Sequence, residues 1–579
     1  MNRLFYGDCL TVMRDMGLGA VDLIYLDPPF KSQRDYNAIY KDETGRPLPD
    51  QIEAFTDMWT LDEAREHSIR HMPVLMRENG IEDSVVEFWR IWMNALRKTN
   101  PSLLAYLSYM VERLVPMRAI LKPTGSIYLH CDSTASHYIK VMMDGIFGHD
   151  NFRNEIVWRR TGSHGNPKRW APIHDTILFY TKSAHYTWNW PKLPYMRGHV
   201  EENFVRDGDG FRTNYYGNVL TGSGTRRGLS GQTWRGIDPT AKDRHWAIPR
   251  KLWEESGIDG AGLNQHQKLD ALFEAGLIRF EKGSAWPIYE RRVRSDDGPA
   301  ISNIWAYQPY TEGTVFGTED GIDADVSWIK PRAAERMGYR TQKSLGLMGR
   351  IIGASSNPGD VVFDPFCGCA TTLEAAHKLG RQWIGVDIAI HAIKRVAQVR
   401  LQDRLNLVEG KDFVVEGVPR DLEGARDLWE RDKYHFQKWA VEQVDGFVTA
   451  KRTADGGIDG RLYFGLYRQK DLASMALEVK GGKHINIGVI RELRGVLERD
   501  EAEMAGLIVM EPVEGRKLTN FKREMAAAGH LEEYGFEYPR MQMLSVGEIL
   551  NGARFSTPSV VGRRETAQGS LPYGTSSPQ

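Results

Sequence analysis

Residues 361–388 read VVFDPFCGCATTLEAAHKLGRQWIGVDI. The run Val361 to Phe363 predicts a strand, Cys367 to Thr372 a turn of small residues, Leu373 to Leu379 a helix, and Trp383 to Val386 a second strand ending in Asp387. This order of strand, small-residue turn, helix, strand and acid is how an open α/β sheet holds a nucleotide-like cofactor. The turn lets the backbone approach it, and the terminal carboxylate accepts from ribose hydroxyls. A dinucleotide-dependent dehydrogenase shares such a unit, but its G-x-G-x-x-G is missing here.

A second strand end lies far upstream, in DLIYLDPPF (residues 22–30). Leu23 to Leu26 is apolar, and the acid, two prolines and aromatic that follow suit transfer to an exocyclic amine. An adenine or cytosine amino nitrogen has its lone pair delocalised into the ring, so it is a poor nucleophile until acceptors draw on its protons. The Asp27 carboxylate and the Pro28 carbonyl can be those acceptors, because Pro28 and Pro29 cannot donate and fix the backbone direction. Phe30 offers a flat face for a base rotated out of a duplex. Taken alone, these four residues also describe a polar turn after a strand; the unit at 361–388 gives them their context.

The two segments, in this order, resemble the beta class of DNA amino-methyltransferases over roughly residues 1 to 405. In that family the catalytic tetrapeptide precedes a target-recognition region and the S-adenosylmethionine motif follows it. The resemblance implies a doubly wound, Rossmann-like α/β domain with an insert, and S-adenosylmethionine as cofactor. It makes Asp27, Pro28, Pro29 and Phe30 the catalytic residues. YGDCL (6–10) is similar to the adenine-contacting segment and puts Asp8 near the cofactor base. GYRTQKSLGLMGRIIGASSNPGD (338–360) is similar to the segment before the cofactor loop, which carries over Thr341, Gln342 and Lys343 as neighbours of the methionine part. By the same matching, Asp364, Phe366, Gly368 and Thr371 fall on the cofactor loop and Asp387 on the ribose. HDTILFYTKS (174–183) is similar to the hairpin bordering the target-base pocket. Ala370, Ser344 and Arg340 depart from the family, whose members usually have Gly, Pro and Pro there. Relatives with a leading Asp more often modify adenine than cytosine, so adenine N6 is the expected target and cytosine N4 the alternative.

At 579 residues, two or three domains are expected. The net charge is −1, so attraction to DNA has to be local. Residues 153–252 hold 17 Lys/Arg against 8 Asp/Glu, interleaved with Trp158, Trp170, Trp188, Trp190, Trp234 and Trp246. That composition suits phosphate neutralisation and stacking on bases, with Arg159, Arg160, Arg226, Arg227, Arg235 and Arg244 as candidate DNA contacts. A loop-rich solvated insert with structural tryptophans would look much the same. Cysteines 9, 131, 367 and 369 show neither disulfide nor zinc spacing. MNRLFYGDCL reads as a strand start rather than a leader, and no run reaches membrane-spanning length, so a cytoplasmic protein without membrane contact is expected.

Val85 to Arg97 and Leu103 to Leu121 show helical spacing, followed by a strand Ser126 to His130. The helix Ile393 to Arg404 closes this part of the chain, and residues 406–433 read as a charged linker. Beyond it a small domain is expected: a helix His435 to Gln443, ADGGIDG (454–460), strands Arg461 to Tyr467 and Ala476 to Lys480, a helix Ile487 to Arg499 and a strand Gly506 to Met510. Strand alternation puts Glu478 and Lys480 on one face. With Asp459 they resemble the PD-(D/E)xK nucleases, GGIDG with LEVKGGK being similar to the Mrr-type restriction-endonuclease branch. The resemblance implies a Mg2+ site on Asp459 and Glu478, with Lys480 positioning a water. Glu442 is a further candidate carboxylate.

The expected organisation is therefore a methyltransferase catalytic half (1–185), a target-recognition region (186–330), a cofactor-binding half (331–405), a linker (406–433), a restriction-endonuclease-like α/β domain (434–552) and a disordered tail (553–579). Double-stranded DNA is the expected partner, with a homodimer and other restriction-modification or defence subunits as further candidates. Three other readings stay open: a bifunctional restriction-modification enzyme acting chiefly by Mg2+-dependent cleavage, a DNA-binding protein with a decayed site, and an RNA substrate.

Overall fold

The computed structural model describes all residues except 31–36, 39–51, 54–58, 163–167, 169, 208–209, 216, 261, 293–296, 307–325, 327, 330–332, 338–341, 391, 394–397, 449–457, 467–471, 483–484, 500–501, 534 and 561–579. Arg340, Thr341, Ala454 to Gly457 and the tail from residue 561 thus lie outside the described residues. The chain divides into two compact units, one of Met1–Asn189 with Ser327–Gln579, the other Trp190–Val326.

The first unit is built on a sheet of β1 (Asn2–Tyr6), β2 (Val21–Leu26), β3 (Leu121–Cys131), β4 (Phe152–Arg159), β5 (His174–Thr181), β6 (Val361–Asp364), β7 (Gln382–Asp387) and β8 (Phe413–Glu416). Their order is β4-β5-β3-β2-β6-β7-β1-β8. From β3 to β8 all neighbours are parallel, whereas β5 pairs antiparallel with β3 and β4. Parallel neighbours need crossovers. These are supplied by α1 (Cys9–Arg14), α2 (Glu63–Glu78), α3 (Asp83–Thr99), α4 (Pro101–Ile120), α5 (Ser136–Phe147), α6 (Leu345–Ser355) and α7 (Thr371–Lys378). The strand after β2 is β3, on one side; the strand after β6 is β7, on the other. Strand order therefore reverses between β2 and β6, and the crevice outside the carboxyl ends of such a pair is where open α/β sheets bind ligands.

The central strands are apolar throughout: Leu23, Ile24 and Leu26 of β2 and Phe363 of β6 are fully buried. Alternation is lost because both faces are covered. β3 is longer than the expected Ser126 to His130. Val21 pairs with Leu121, but Leu23 already pairs with Ser126, so residues 122–125 loop out of register. Lys122 of this excursion returns to Asp22 at 2.8 Å. Gly125 is needed there, since a Cβ would lie 2.9 Å from the Asp22 carbonyl oxygen.

The stretch 406–433 is not a linker. It supplies β8, parallel to β1 at the sheet edge, and α8 (Leu422–Arg431). Phe413 is fully buried, and Glu416 pairs with Arg3 at 2.7 Å. A four-residue edge strand with charge on it is what protects an exposed sheet edge, and it reads as linker because only one of its faces is apolar.

The last part of the first unit contains α9 (Lys433–Gln443), β9 (Phe447–Val448), β10 (Gly460–Gly465), β11 (Ala473–Lys480), α10 (Ile487–Arg499), β12 (Met504–Val509), α11 (Gly515–Ala526), β13 (Met541–Ser545) and α12 (Val546–Leu550). Its sheet runs β9-β10-β11-β12-β13, antiparallel up to β11 and parallel after it. It is joined closely to the larger sheet. The His435 Nε2 donates to the Ile388 carbonyl at 3.2 Å, the His435 ring lies 4.3 Å from that of Tyr6, and Arg426 of α8 pairs with Glu511 at 2.5 Å.

The second unit holds a sheet of 278–279, 288–292, 210–215 and 205–207 and a core that includes Trp234, Trp246, Leu269, Leu272 and Tyr289. The tryptophans of the basic stretch therefore divide: Trp158, Trp234 and Trp246 are core residues, whereas Trp170 and Trp190 are 97% and 78% exposed.

Replacing Ile24 by Ala at the centre of the parallel sheet should cost about 2–5 kcal/mol of stability, read as a lower denaturant midpoint at unchanged slope.

Candidate functional site

Asp27 follows β2 directly, and Asp364 is the last residue of β6. The register pairs Leu23 with Val362 and Ile24 with Phe363, so both acids emerge at the carboxyl edge of adjacent strands, at the reversal point. The Lys343 ammonium bonds Asp27 Oδ2 and lies 5.7 Å from the centre of the Phe30 ring. The other Asp27 oxygen, Oδ1, is buried and has no hydrogen-bond partner among the described residues. A buried carboxylate oxygen left in this state marks a place where a donor belongs.

Asp364 Oδ1 accepts from the Phe366 N–H at 3.0 Å. Burial pushes its carboxyl up to about 7, against the hydrogen bonds of Thr372 and Phe366 and with the charges of Asp27 and Asp387 adding to the rise. Asp387 accepts from the N–H groups of Gly368 at 2.9 Å and Ala389 at 2.8 Å, and burial still raises it to about 6. Three carboxylates thus converge on one crevice, a setting that favours a cationic ligand. The loop between β6 and α7 takes up left-handed backbone at Gly368 (φ 48°) and at Ala370 (φ 59°). At Ala370, where the resembled family usually has Gly, the methyl group makes that conformation cost about 1–2 kcal/mol. Ser344, in place of Pro, caps α6 by accepting from the Leu347 N–H at 3.4 Å.

The remaining expected cofactor residues are placed as follows. Asp8 caps α1 through the Leu10 N–H at 2.9 Å and pairs with Arg113 at 2.6 Å. Gln342 braces its own segment, donating to the Glu335 carbonyl at 2.6 Å and accepting from the Met337 N–H at 2.8 Å. The Thr371 hydroxyl accepts from the fully buried Arg400 at 3.0 Å, which pairs in turn with Glu374 at 3.2 Å. Lys343, expected beside the cofactor, bonds Asp27.

Sequence reasoning missed a buried polar chain beneath Phe30. The Tyr25 hydroxyl bonds His130 Nδ1 at 2.9 Å, His130 Nε2 bonds Asp175 Oδ2 at 3.1 Å, and Arg160 Nε stands 3.1 Å from Asp175 Oδ1. The His130 ring is 5.9 Å from Phe30 and 5.7 Å from Trp158. Burial would raise Asp175, but the His130 hydrogen bond and the charges of His130, Arg160 and Lys343 hold it below its ordinary value. The available signal was a His ending the apolar run SIYLHC. Arg113 was missed too; its signal is the adjacent Glu112 and Arg113 in the middle of α4, which is otherwise mostly apolar and buried.

Among the arginines, Arg226 and Arg227 are exposed. Arg235 pairs with Asp270 at 3.2 Å, Arg244 donates to the Thr221 carbonyl at 3.1 Å, and Arg159 donates to the Thr161 carbonyl at 3.3 Å. All four cysteines are buried and unbridged. No described helix is long and apolar enough to cross a membrane.

On the smaller sheet, Glu478 and Lys480 pair at 2.6 Å, and Asp459 accepts from the Val479 N–H at 2.8 Å. Burial raises the Glu478 carboxyl against the pull of Lys480, with Asp459 and Glu492 adding to the rise. Glu442 bears on Tyr6 of β1, whose hydroxyl is pushed up by burial and then by that carboxylate. No group of three metal-ligating side chains is present among the described residues.

Known proteins are similar to the part of the chain that carries the larger site. Type II methyltransferase M.EcaI from Enterobacter cloacae is 33% identical over 294 residues, 50% of this chain and 56% of that protein. The StyLTI Mod subunit, of a type III restriction-modification enzyme of Salmonella typhimurium, is 26% identical over 398 residues, 66% of this chain and 50% of the subunit. DNA adenine methyltransferase YhdJ from Escherichia coli K12 is 42% identical over 91 residues, 15% of this chain and 28% of YhdJ. The chain spans about half the length of the first two of these relatives. The DNA methylase family N6_N4_Mtase matches residues 21–398, which takes in both strand ends and everything between them. The chain belongs to this N6/N4 family of DNA methylases.

Proposed function

We propose that this DNA methylase moves a methyl group from S-adenosylmethionine to the exocyclic amine of a base turned out of double-stranded DNA, with adenine N6 as the target. The observation that carries the reading is the buried Oδ1 of Asp27, without a hydrogen-bond partner among the described residues, at the reversal point beside Asp364 and Asp387. The leading Asp of the tetrapeptide and the likeness to YhdJ, an adenine methyltransferase by name, support adenine over cytosine.

The residues fit the cofactor. Asp387 keeps lone pairs for ribose hydroxyls after its two backbone bonds, and the three carboxylates suit a positive ligand. S-adenosylmethionine supplies a methyl group made electrophilic by its sulfonium charge. Asp27 Oδ1 and the Pro28 carbonyl accept the amine protons, which returns the nitrogen lone pair to it, and Asp27 takes the proton released on transfer. Phe30 stacks against the base. No covalent enzyme intermediate is needed, in keeping with four buried cysteines. The exposed Arg226 and Arg227, together with Arg160, are the arginines we assign to phosphate contact.

For the C-terminal part we infer a nuclease-like site on Asp459, Glu478 and Lys480, in which the two carboxylates would hold Mg2+ and Lys480 would orient a water. The supporting observation is the Glu478–Lys480 pair on one strand face, next to Asp459. The likeness to a Mod subunit favours work alongside restriction partners, one of which is this domain itself.

Nucleoside mass spectrometry of unmethylated DNA after incubation with S-adenosylmethionine and a metal chelator should show N6-methyladenine. Asp27→Ala should reduce its formation by about 10²–10⁴-fold, and a normal rate in that variant sinks the central claim. Affinity for S-adenosylmethionine should rise with pH from about 5.5 and level off near 8, because the cation prefers the ionised forms of Asp387 (about 6) and Asp364 (about 7). Calorimetry should show protons released on binding, and Asp364→Asn should flatten the upper part of that rise. With Mg2+ present, DNA strand breaks should appear and vanish in Lys480→Ala while methylation is unchanged; intact DNA under all metal conditions removes the nuclease assignment.

A further inference from the structure

We propose that His130 is a positioning residue of the base pocket: locked between Tyr25 and Asp175, its ring sets the angle of Phe30, on which the turned-out base stacks. This rests on the reading of Phe30 as the stacking face.

His130 is fully buried at the end of β3, beside β2. Both of its ring nitrogens are engaged. The Asp175 carboxylate can only accept, so Nε2 carries a proton and donates it at 3.1 Å, and Nδ1 shares a second hydrogen bond with the Tyr25 hydroxyl at 2.9 Å. A bare Nε2 would turn an imidazole lone pair toward a carboxylate, which is repulsive. The ring therefore cannot flip or swing without breaking two buried hydrogen bonds at once. Trp158 closes on it edge-on, at 88° and 5.7 Å. Phe30 meets this fixed plane at 36° and 5.9 Å.

Apolar side chains could fill the same volume without loss of stability. A hydrogen-bonded polar chain instead selects one arrangement of its members, and an aromatic wall needs one arrangement where a base must present its amine to Asp27. The chain also runs outward. Asp175 Oδ1 stands 3.1 Å from Arg160, whose side chain is 43% exposed, so the wall of the pocket is tied to a cation that a DNA phosphate can reach.

The test uses a duplex of the sequence that the wild-type protein methylates, with 2-aminopurine at the target position, in the presence of S-adenosylhomocysteine. Fluorescence of the extruded base would be followed for wild type, Phe30→Ala, His130→Ala, and the double variant, with His130→Gln as a replacement able to accept from Tyr25 and donate to Asp175. Phe30→Ala and His130→Ala should each weaken the extruded complex about 5- to 10-fold, and the double variant no further than Phe30→Ala alone. His130→Gln should recover most of the signal, and S-adenosylhomocysteine affinity should stay within about two-fold throughout. Additive losses, or wild-type extrusion in His130→Ala, overturn the role of His130 while leaving the stacking role of Phe30 standing. Extrusion that falls only in step with S-adenosylhomocysteine affinity and thermal stability marks His130 as structural and also overturns it. Unchanged extrusion in Phe30→Ala removes the stacking reading, and this inference with it. If His130→Ala does not fold, the comparison is made with His130→Gln against His130→Phe, which removes both hydrogen bonds while filling the space.

Discussion

Parallel pairing of Leu23 and Ile24 with Val362 and Phe363 is the constraint on which the rest of the larger site depends. It joins two segments from distant parts of the chain, and it does so at the point where the strand order reverses. A strand pair with connections leaving in opposite directions opens a crevice above its carboxyl ends, and the residues that end these two strands are acids. The chain leaves β2 at that edge and enters β6 at the opposite one, because the two strands are parallel. α6 precedes β6, and Lys343, just before α6, reaches Asp27.

Bringing Asp27, Asp364 and Asp387 together has an electrostatic cost that the fold meets unequally. Asp27 has a lysine on one oxygen, while Asp387 has backbone N–H groups on both. Asp364 has a single backbone donor and is surrounded by the other two, so its carboxyl rises to about 7. The strained backbone of Ala370 lies on the loop that supplies the Gly368 donor. Strain and raised carboxyls in one crevice are what an enzyme tolerates where ligand binding will relieve them.

The C-terminal part is bound into the same compact unit rather than hung from it. His435, at the start of α9, is lowered to about 4 by burial and so docks as a neutral ring against Tyr6 and the Ile388 carbonyl, one residue past Asp387. Trp429 of α8 covers Gly481, where a Cβ would fall 2.4 Å from its ring. The Glu478–Lys480 edge and the larger crevice are thus carried on elements in direct contact, through α8 and α9.

The sequence by itself determined the local pieces. Apolar runs ended by acids marked β2, β6 and β7, helical spacing marked α3 and α4, and alternation put Glu478 and Lys480 on one face. Each of these signals is carried by neighbours a few residues apart, so it is legible without a fold. Residues 406–433 escaped because an edge strand and an amphipathic helix keep charge on one face, and charge density alone reads as linker. The tryptophans were ambiguous for a related reason: a ring that stacks on bases and a ring that fills a core have the same composition, and only packing separates Trp170 from Trp234. Tertiary structure alone decided the partners of Asp27, Asp8 and His130, which pair with Lys343, Arg113, and Tyr25 with Asp175. Those contacts join residues on different strands and helices, and hydrogen bonds of about 3 Å are set by how elements pack, which no periodicity along the chain records.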